Sequence, residues 1–329
     1  MRFLNILIGL GLIVGSAAPC FAQAAPAATP VERHGQLSVK GNRIVDAHGQ
    51  PVILRGMSLF WSQWGGQYYN ADCVKWLRDD FGCTVVRAAM GVGSGGYLQN
   101  PDLEQKKTET VIQAAIDGGI YVIVDWHAHD PETAAARKFF SALAAKYGKY
   151  PNVIYETYNE PIRQDWTRVL KPYHESVIAG IREHDPDNLI VCGTPMWGQS
   201  VDKAAADPIK GDNIAYTLHF YAATHKQWLR DRAKAAMDKG IALMVTEWGT
   251  SEANGDGKLD DVETRAWLKF MDDNHLSWCN WSVIGKNETS AALTSNAPAK
   301  GGWPVETLSA SGKLVRDEIR KGNAATAKP

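Results

Sequence analysis

Residues 153–161 read VIYETYNEP, an apolar, β-branched run that ends in Asn159 and Glu160, with Pro161 barring its continuation. β-Branched and aromatic side chains suit a pleated strand, and proline lacks the N–H that a ladder needs. A strand apolar on both faces is buried on both, which is the pattern of a parallel sheet covered by helices. A carboxylate fixed at the end of such a strand needs a partner or a task, because buried charge is costly.

Seven further runs have the same character: Val52–Met57, Thr84–Met90, Ile120–Trp126, Asn188–Gly193, Asn213–His219, Ile241–Trp248 and Leu276–Val283. Between them lie stretches of helical period, Asp102–Gly118, Ala134–Tyr147, Trp166–Glu183, Gln227–Lys239 and Asp261–Asn274, with Pro304–Lys321 closing the chain. Only Val201–Ala206 reads as helix between the fifth and sixth strands. Eight strand–helix units in 329 residues predict an α/β fold, a (β/α)8 TIM barrel. A doubly wound sheet usually opens on a glycine-rich turn, and no GxGxxG follows the first strand. Leu37–Gly56 holds two short β-like runs around Gly41-Asn42 and His48-Gly49, which predict a small N-terminal β-hairpin capping the barrel.

The expected layout is a signal peptide over 1–24, a linker over 25–35, a catalytic barrel over 36–322 and a disordered tail over 323–329. Arg2, the apolar Phe3–Val14 and the small residues up to Ala24 form the secretory signal, so the expected location is extracellular or periplasmic. A net charge of -1 with scattered basic residues argues against a nucleic-acid partner. No later run is long and apolar enough to span a membrane, so a monomer free of the membrane is expected after processing. Cys73 and Cys83 form a candidate disulfide, while Cys192 and Cys279 sit in apolar runs as buried thiols.

Barrel sites are built at the C-terminal ends of the strands. There the sequence sets Arg87, Asp125-Trp126-His127-Ala128-His129-Asp130, Asn159-Glu160, His219-Phe220-Tyr221, Glu247-Trp248 and Trp281. A lone buried arginine, histidine or tryptophan is usually structural, but convergence of so many polar groups on one rim is not. Two carboxylates facing each other across the mouth, Glu160 and Glu247, suit hydrolysis of an acetal. A gap of about 5 to 5.5 Å gives retention through a covalent intermediate, and roughly 6.5 to 9.5 Å leaves room for water and inversion. Arg87 beside one carboxylate would keep it ionised, and a desolvated setting would keep the other protonated.

These residues resemble glycoside hydrolase family five, a retaining cellulase family with a (β/α)8 fold. The likeness runs from Leu37 to Arg320. It is carried by Asn159-Glu160-Pro161 and Glu247-Trp248-Gly249, and by four segments of the bacterial endoglucanase subfamily. These are GMSLFWSQW (56–64), VVRAAMGV (85–92), VIVDWHAHD (122–130) and WSVIGKNETSAAL (281–293). The resemblance implies Glu160 as acid/base, Asn159 on the 2-hydroxyl and Glu247 as nucleophile oriented by Arg87 and Tyr221. It implies His127 and His219 around the cleaved sugar, Trp281 as its stacking floor, and Lys286 and Glu288 on the glycone side. Phe60 stands where the subfamily commonly has histidine. Trp61, Trp64, Trp126, Trp197, Trp248 and Trp303 are further rim candidates, since flat aromatic faces suit the C–H faces of glucose. The implied activity is cofactor-free cleavage of internal β-1,4-glucosidic bonds in a glucan polysaccharide or oligosaccharide; mannan, xyloglucan or mixed-linkage glucan are the alternative substrates.

Three rival readings compete. His127-Ala128-His129 is an H-x-H that suits a metal-dependent amidohydrolase-like barrel, but it leaves the paired glutamates unexplained. EANGDGKLDDVE, Glu252–Glu263, imitates a calcium loop, yet Glu252 stands where Asp is expected and no helix precedes it. It reads better as a polar loop whose acidic end starts the next helix. A non-catalytic sugar-binding barrel would keep the tryptophans but not both glutamates.

Overall fold

In a computed structural model, residues 28–326 are described. The proposed signal peptide lies outside them. Eight parallel strands close into a barrel: β3 (Arg55–Leu59), β4 (Val85–Gly91), β5 (Tyr121–His127), β6 (Val153–Glu156), β7 (Ile190–Cys192), β8 (Ile214–Tyr221), β9 (Leu243–Gly249) and β10 (Trp278–Val283). β10 pairs with β3 to complete the ring, so no strand edge is left open. Before them, β1 (Ser38–Lys40) and β2 (Arg43–Val45) form the expected antiparallel hairpin.

The helices in chain order are α1 (Pro30–His34), α2 (Ser62–Gly65), α3 (Ala71–Trp76), α4 (Pro101–Gly118), α5 (Thr133–Tyr147), α6 (Lys171–Arg182), α7 (Pro195–Gly198), α8 (Val201–Ala206), α9 (Gln227–Asp238), α10 (Asp261–Asp273) and α11 (Ala310–Thr326). Two expectations need correction at the ends. The segment expected as linker holds α1, because Thr29 and Glu32 form a reciprocal cap and Val31 donates its N–H to Gly119. The tail expected to be disordered from 323 is helical to Thr326, and the Asn323 amide donates to the Gly82 carbonyl at 2.8 Å. The segment after β3 also turns helical at α2 and α3, where Asn70 caps α3 through the Cys73 N–H.

Two large apolar bodies result, with a small third at the rim where Ala89, Tyr221 and Trp281 meet. One fills the shell between strands and helices and includes Val86, Val122, Val124, Phe139, Phe140, Trp126, Trp248, Trp267 and Trp303. The other lies inside the barrel: Val85, Tyr121, Ile123, Ile154, Val191, Ala215, Met244 and Cys279 pack with Leu37, Ile44, Val52 and Leu54. The hairpin segment thus plugs the barrel, and the strands alternate inward and outward residues with period two except where the register shifts in β9 and β10. Cys73 and Cys83 are not bridged; all four thiols among the described residues are free and buried. Among the described residues, no helix is long and apolar enough to cross a membrane.

Gly56 shows how tight the wall is. A Cβ there would lie 1.7 Å from the Val85 carbonyl oxygen of the neighbouring strand. Gly56→Ala is therefore expected to cost roughly 3 kcal/mol or more, read as a fall in melting temperature or loss of soluble protein. A variant melting like the wild type contradicts this packing.

Candidate active site

Alternation along β4 turns Val85 and Arg87 inward, and along β6 it turns Ile154 and Glu156 inward. Arg87 is fully buried. Its guanidinium bonds Glu156 (Nε–Oε2 2.7 Å), Glu247 (Nη1–Oε2 2.9 Å), the Asn159 amide oxygen (Nη2 2.6 Å) and Ser58 Oγ (3.3 Å). Asp125 Oδ2 lies 2.9 Å from Nη2. Burial works against this cation, but Asp125, Glu156 and Glu247 outweigh it and raise its pKa well above the usual arginine value.

Glu247 faces inward through an irregularity. Pairing of β9 with β8 goes from Thr217↔Met244 to His219↔Glu247, so β9 spans three residues where β8 spans two. This bulge turns both Thr246 and Glu247 into the barrel. Glu247 then receives Arg87 on one oxygen and the Tyr221 hydroxyl on the other at 2.8 Å. Burial raises the Glu247 pKa, the charge of Glu160 adds to this, and Arg87, His219 and Tyr221 oppose it.

The hydrogen-bonded part of β6 ends at Glu156, not at the expected Asn159. The chain beyond it stays against its neighbours through Thr157 N–H to Val191, Asn159 N–H to Trp126 and Glu160 N–H to Ala128. Because the Asn159 oxygen accepts from Arg87, its NH2 remains as the donor end. Glu160 meets His219, with Oε1 and Nδ1 3.1 Å apart. The other ring nitrogen lies 2.7 Å from Thr246 Oγ1, which donates to Glu156 at 2.6 Å. Burial lowers the His219 pKa, but Glu156, Glu160 and Glu247 outweigh it and raise it to about 9. Burial likewise raises Glu160, yet the hydrogen bond and charge of His219, with His129 and Arg87, hold it below the usual glutamate value.

His127 lies 2.5 Å from Asp125 and stacks on Trp281 with rings 2° from parallel and 5.2 Å apart. Burial, then the charge of Arg87, keeps the His127 pKa well down and the ring neutral, while burial and three nearby carboxylates raise Asp125. A groove crosses this floor. A cavity of about 470 Å³ is lined by Glu160, Trp197, Gln199, His219, Tyr221 and His225, with Glu247 at its base. It adjoins one of about 280 Å³ that reaches Phe60, Trp61, Trp281 and Glu288. A third, also about 280 Å³, continues past Trp61 to Trp64, Leu98 and His129. Lys286 pairs with Glu288 and lies 5.1 Å over the Phe60 ring.

Arg87, His127, Asn159, Glu160, His219, Tyr221, Glu247 and Trp281 therefore converge, while Trp64, Lys286 and Glu288 stand further along the groove. Trp126, Trp248 and Trp303 are core. One oxygen of Glu160 and one of Glu247 lie within 4.8 Å of each other.

The model of the family described as cellulase (glycosyl hydrolase family 5) matches residues 45–287. The chain belongs to this family. Endoglucanase N of Pectobacterium atrosepticum is 46% identical over 319 residues, covering 95% of this chain and 72% of that protein. Three curated endoglucanases it matches are longer, and the chain spans 57 to 72% of their lengths. A solved structure from Cytophaga hutchinsonii is 55% identical with TM-score 0.90, covering 91% of this chain and 99% of that one. The catalytic domain of Thermobifida fusca endoglucanase Cel5A has TM-score 0.85 at 33% identity, covering 89% of this chain and all of that one. A variant of that domain was solved with cellotetraose.

Family membership sets aside the amidohydrolase-like and non-catalytic readings. His127 and His129 do not meet a third metal-type ligand among the described residues. In the Glu252–Glu263 loop, Asp256 accepts from Thr289, and Asp260 caps α10 through the Glu263 N–H, as expected for a polar loop starting a helix.

Asp125 is named at the rim in the sequence reading but given no role there, and Glu156, Thr246 and His225 do not figure in it. Glu156 and Asp125 share strand parity with Ile154 and Ile123, so alternation alone placed them inside the barrel. His225 holds the Tyr221 N–H on its Nδ1 at 2.8 Å, and burial lowers its pKa to about 4.

Arg87→Met leaves three buried carboxylates without their cation and is expected to destabilise by about 3–5 kcal/mol in denaturant unfolding. His219 titrates near 9 when folded, above its unfolded value of about 6.5. Its stabilising contribution is complete below about pH 6.5 and is lost as pH rises through about 9. The stability gap between wild type and His219→Gln is thus expected to be wide near pH 6 and to shrink above pH 9; a gap independent of pH contradicts it.

Proposed function

We propose that this family member is a retaining endo-β-1,4-glucanase whose acid/base is Glu160 and whose nucleophile is Glu247. The observation that carries this reading is that one oxygen of each carboxyl lies within 4.8 Å of one of the other, close to the spacing of retaining enzymes and short of that of inverting ones. An open groove running past both sides of the pair suits cleavage inside a chain. The names of the relatives and the cellotetraose complex of the Cel5A domain support a glucan substrate.

Glu247, charge-compensated by Arg87 and oriented by Tyr221, attacks the anomeric carbon as the glycosidic C–O bond breaks. Glu160 delivers its proton to the leaving oxygen. Water then attacks the glycosyl–enzyme, giving its proton to Glu160 and releasing Glu247. The lowered Glu160 runs against an acid raised on its own, and His219 supplies the reason. Its ring holds the proton, and transfer across the 3.1 Å contact neutralises both groups and arms Glu160. Asn159, through its free NH2, binds the 2-hydroxyl; His127 binds hydroxyls, Trp281 stacks the sugar, and Lys286, Glu288 and Trp64 hold the glycone chain beyond. Export by residues 1–24 and action as a monomer complete the proposal, checked by N-terminal sequencing of exported protein and by sedimentation.

Glu160→Gln and Glu247→Gln are each expected to fold and to lose about 10³-fold or more of kcat on soluble cellulose. NMR of early products should show the β-anomer first. An α-anomer first product, or near wild-type turnover in either variant, overturns the mechanism. Faster hydrolysis of mannan or xyloglucan than of cellulose and mixed-linkage glucan would replace the substrate while keeping the chemistry.

A further inference from the structure

Trp228 lies in the first turn of α9, and its indole is 45% exposed. An exposed tryptophan is ordinary when isolated, but this one is held from two sides. The Arg232 guanidinium, one turn on, lies 5.2 Å from the ring centre. Arg232 is itself tied down: Nη1 donates to the Gln199 carbonyl at 3.4 Å, and Nε lies 3.6 Å from Asp202. On another side the indole meets the His225 ring edge-on at 6.0 Å. His225 is fixed by the Tyr221 N–H on its Nδ1 and by the Trp267 Nε1–H on its carbonyl at 2.6 Å.

Both of these neighbours lead to the groove. His225 and Gln199 line the cavity of about 470 Å³ that contains Glu160 and Trp197. The indole therefore adjoins this wall through His225, one ring outside the residues that line the cavity and away from Phe60, Trp281 and Glu288. A rigid ring with a solvent-facing surface matches the flat C–H face of a β-linked glucopyranose and costs little entropy on contact.

We propose that Trp228 is a stacking platform for a glucosyl unit of the leaving-group portion of the chain, beyond Trp197. The inference rests on the endoglucanase reading and makes Trp228 a determinant of preferred chain length. The test compares kcat/KM on cellohexaose with that on cellotriose for wild type, Trp228→Ala, Trp228→Leu and Trp228→Phe. The hexaose-to-triose ratio is expected to fall roughly three- to tenfold in the alanine and leucine variants and to recover largely in the phenylalanine variant. The leucine variant keeps apolar bulk, so it reads out the flat face if the alanine variant folds poorly. A wild-type ratio in Trp228→Leu, or the same loss in Trp228→Phe, overturns the platform while leaving the endoglucanase intact. Wild-type protein inactive on every β-1,4-oligosaccharide overturns both.

Discussion

The guanidinium of Arg87 is the constraint around which the upper barrel is organised. A buried cation is tolerable only when its donors are filled and its charge is matched, and Arg87 meets Glu156, Glu247, Asp125, Asn159 and Ser58 at once. Those partners come from β3, β5 and β9, and from β6 with the residues just after it. A lysine would present a point charge and three donors, whereas the planar fork holds two carboxylates and an amide in a fixed relation. Glu247 and Asn159 are therefore held by the same group, and the distance between the Glu247 carboxylate and the Asn159 amide is set by a rigid plane.

His219 is the second cation and does different work. It stands between Glu156, through Thr246, and Glu160, so it is charged for the benefit of one carboxylate that never leaves the core and one that faces the groove. Four carboxyls, Asp125, Glu156, Glu160 and Glu247, share two cations. Burial, with the surplus negative charge added, raises Asp125 and Glu247, and Asp125 hydrogen-bonds the neutral His127 across 2.5 Å. The proton economy of the site is thus a property of the cluster, and no single glutamate sets it.

The barrel was legible in the sequence because eight apolar runs separated by helical stretches admit few arrangements. The strands fall where expected, and their ends differ by up to three residues where main-chain pairing outlasts or falls short of the apolar run, as at Glu156. Most site residues were legible too, since Arg87, His127, His219 and Trp281 obey the inward parity of their strands. Glu247 does not. Counting from Met244 by twos reaches Thr246 and Trp248 and leaves Glu247 facing the helices, and only the bulge in β9 reverses this. A bulge is an outcome of pairing between strands, so no local pattern announces it; the Glu-Trp-Gly motif did. Glu156 shows the opposite failure: parity placed it inside, but attention to the rim passed over a carboxylate one layer below.

The two ends of the barrel explain how so much charge is accommodated. At one end Leu37, Ile44, Val52 and Leu54 close the interior against Val85, Ile123 and Met244, so the strands are held by an apolar plug that excludes water. At the other end the same strands carry Arg87, Asp125, Glu156, His219 and Glu247, whose burial stabilises only through mutual pairing. Removing one member leaves its partners without their counter-charge, so these groups resist gradual change, whereas Trp64, Trp197 and Trp228 stand further out and are partly exposed. On the proposed reading, the length of glucan held varies through the outer tryptophans while the charged centre stays fixed.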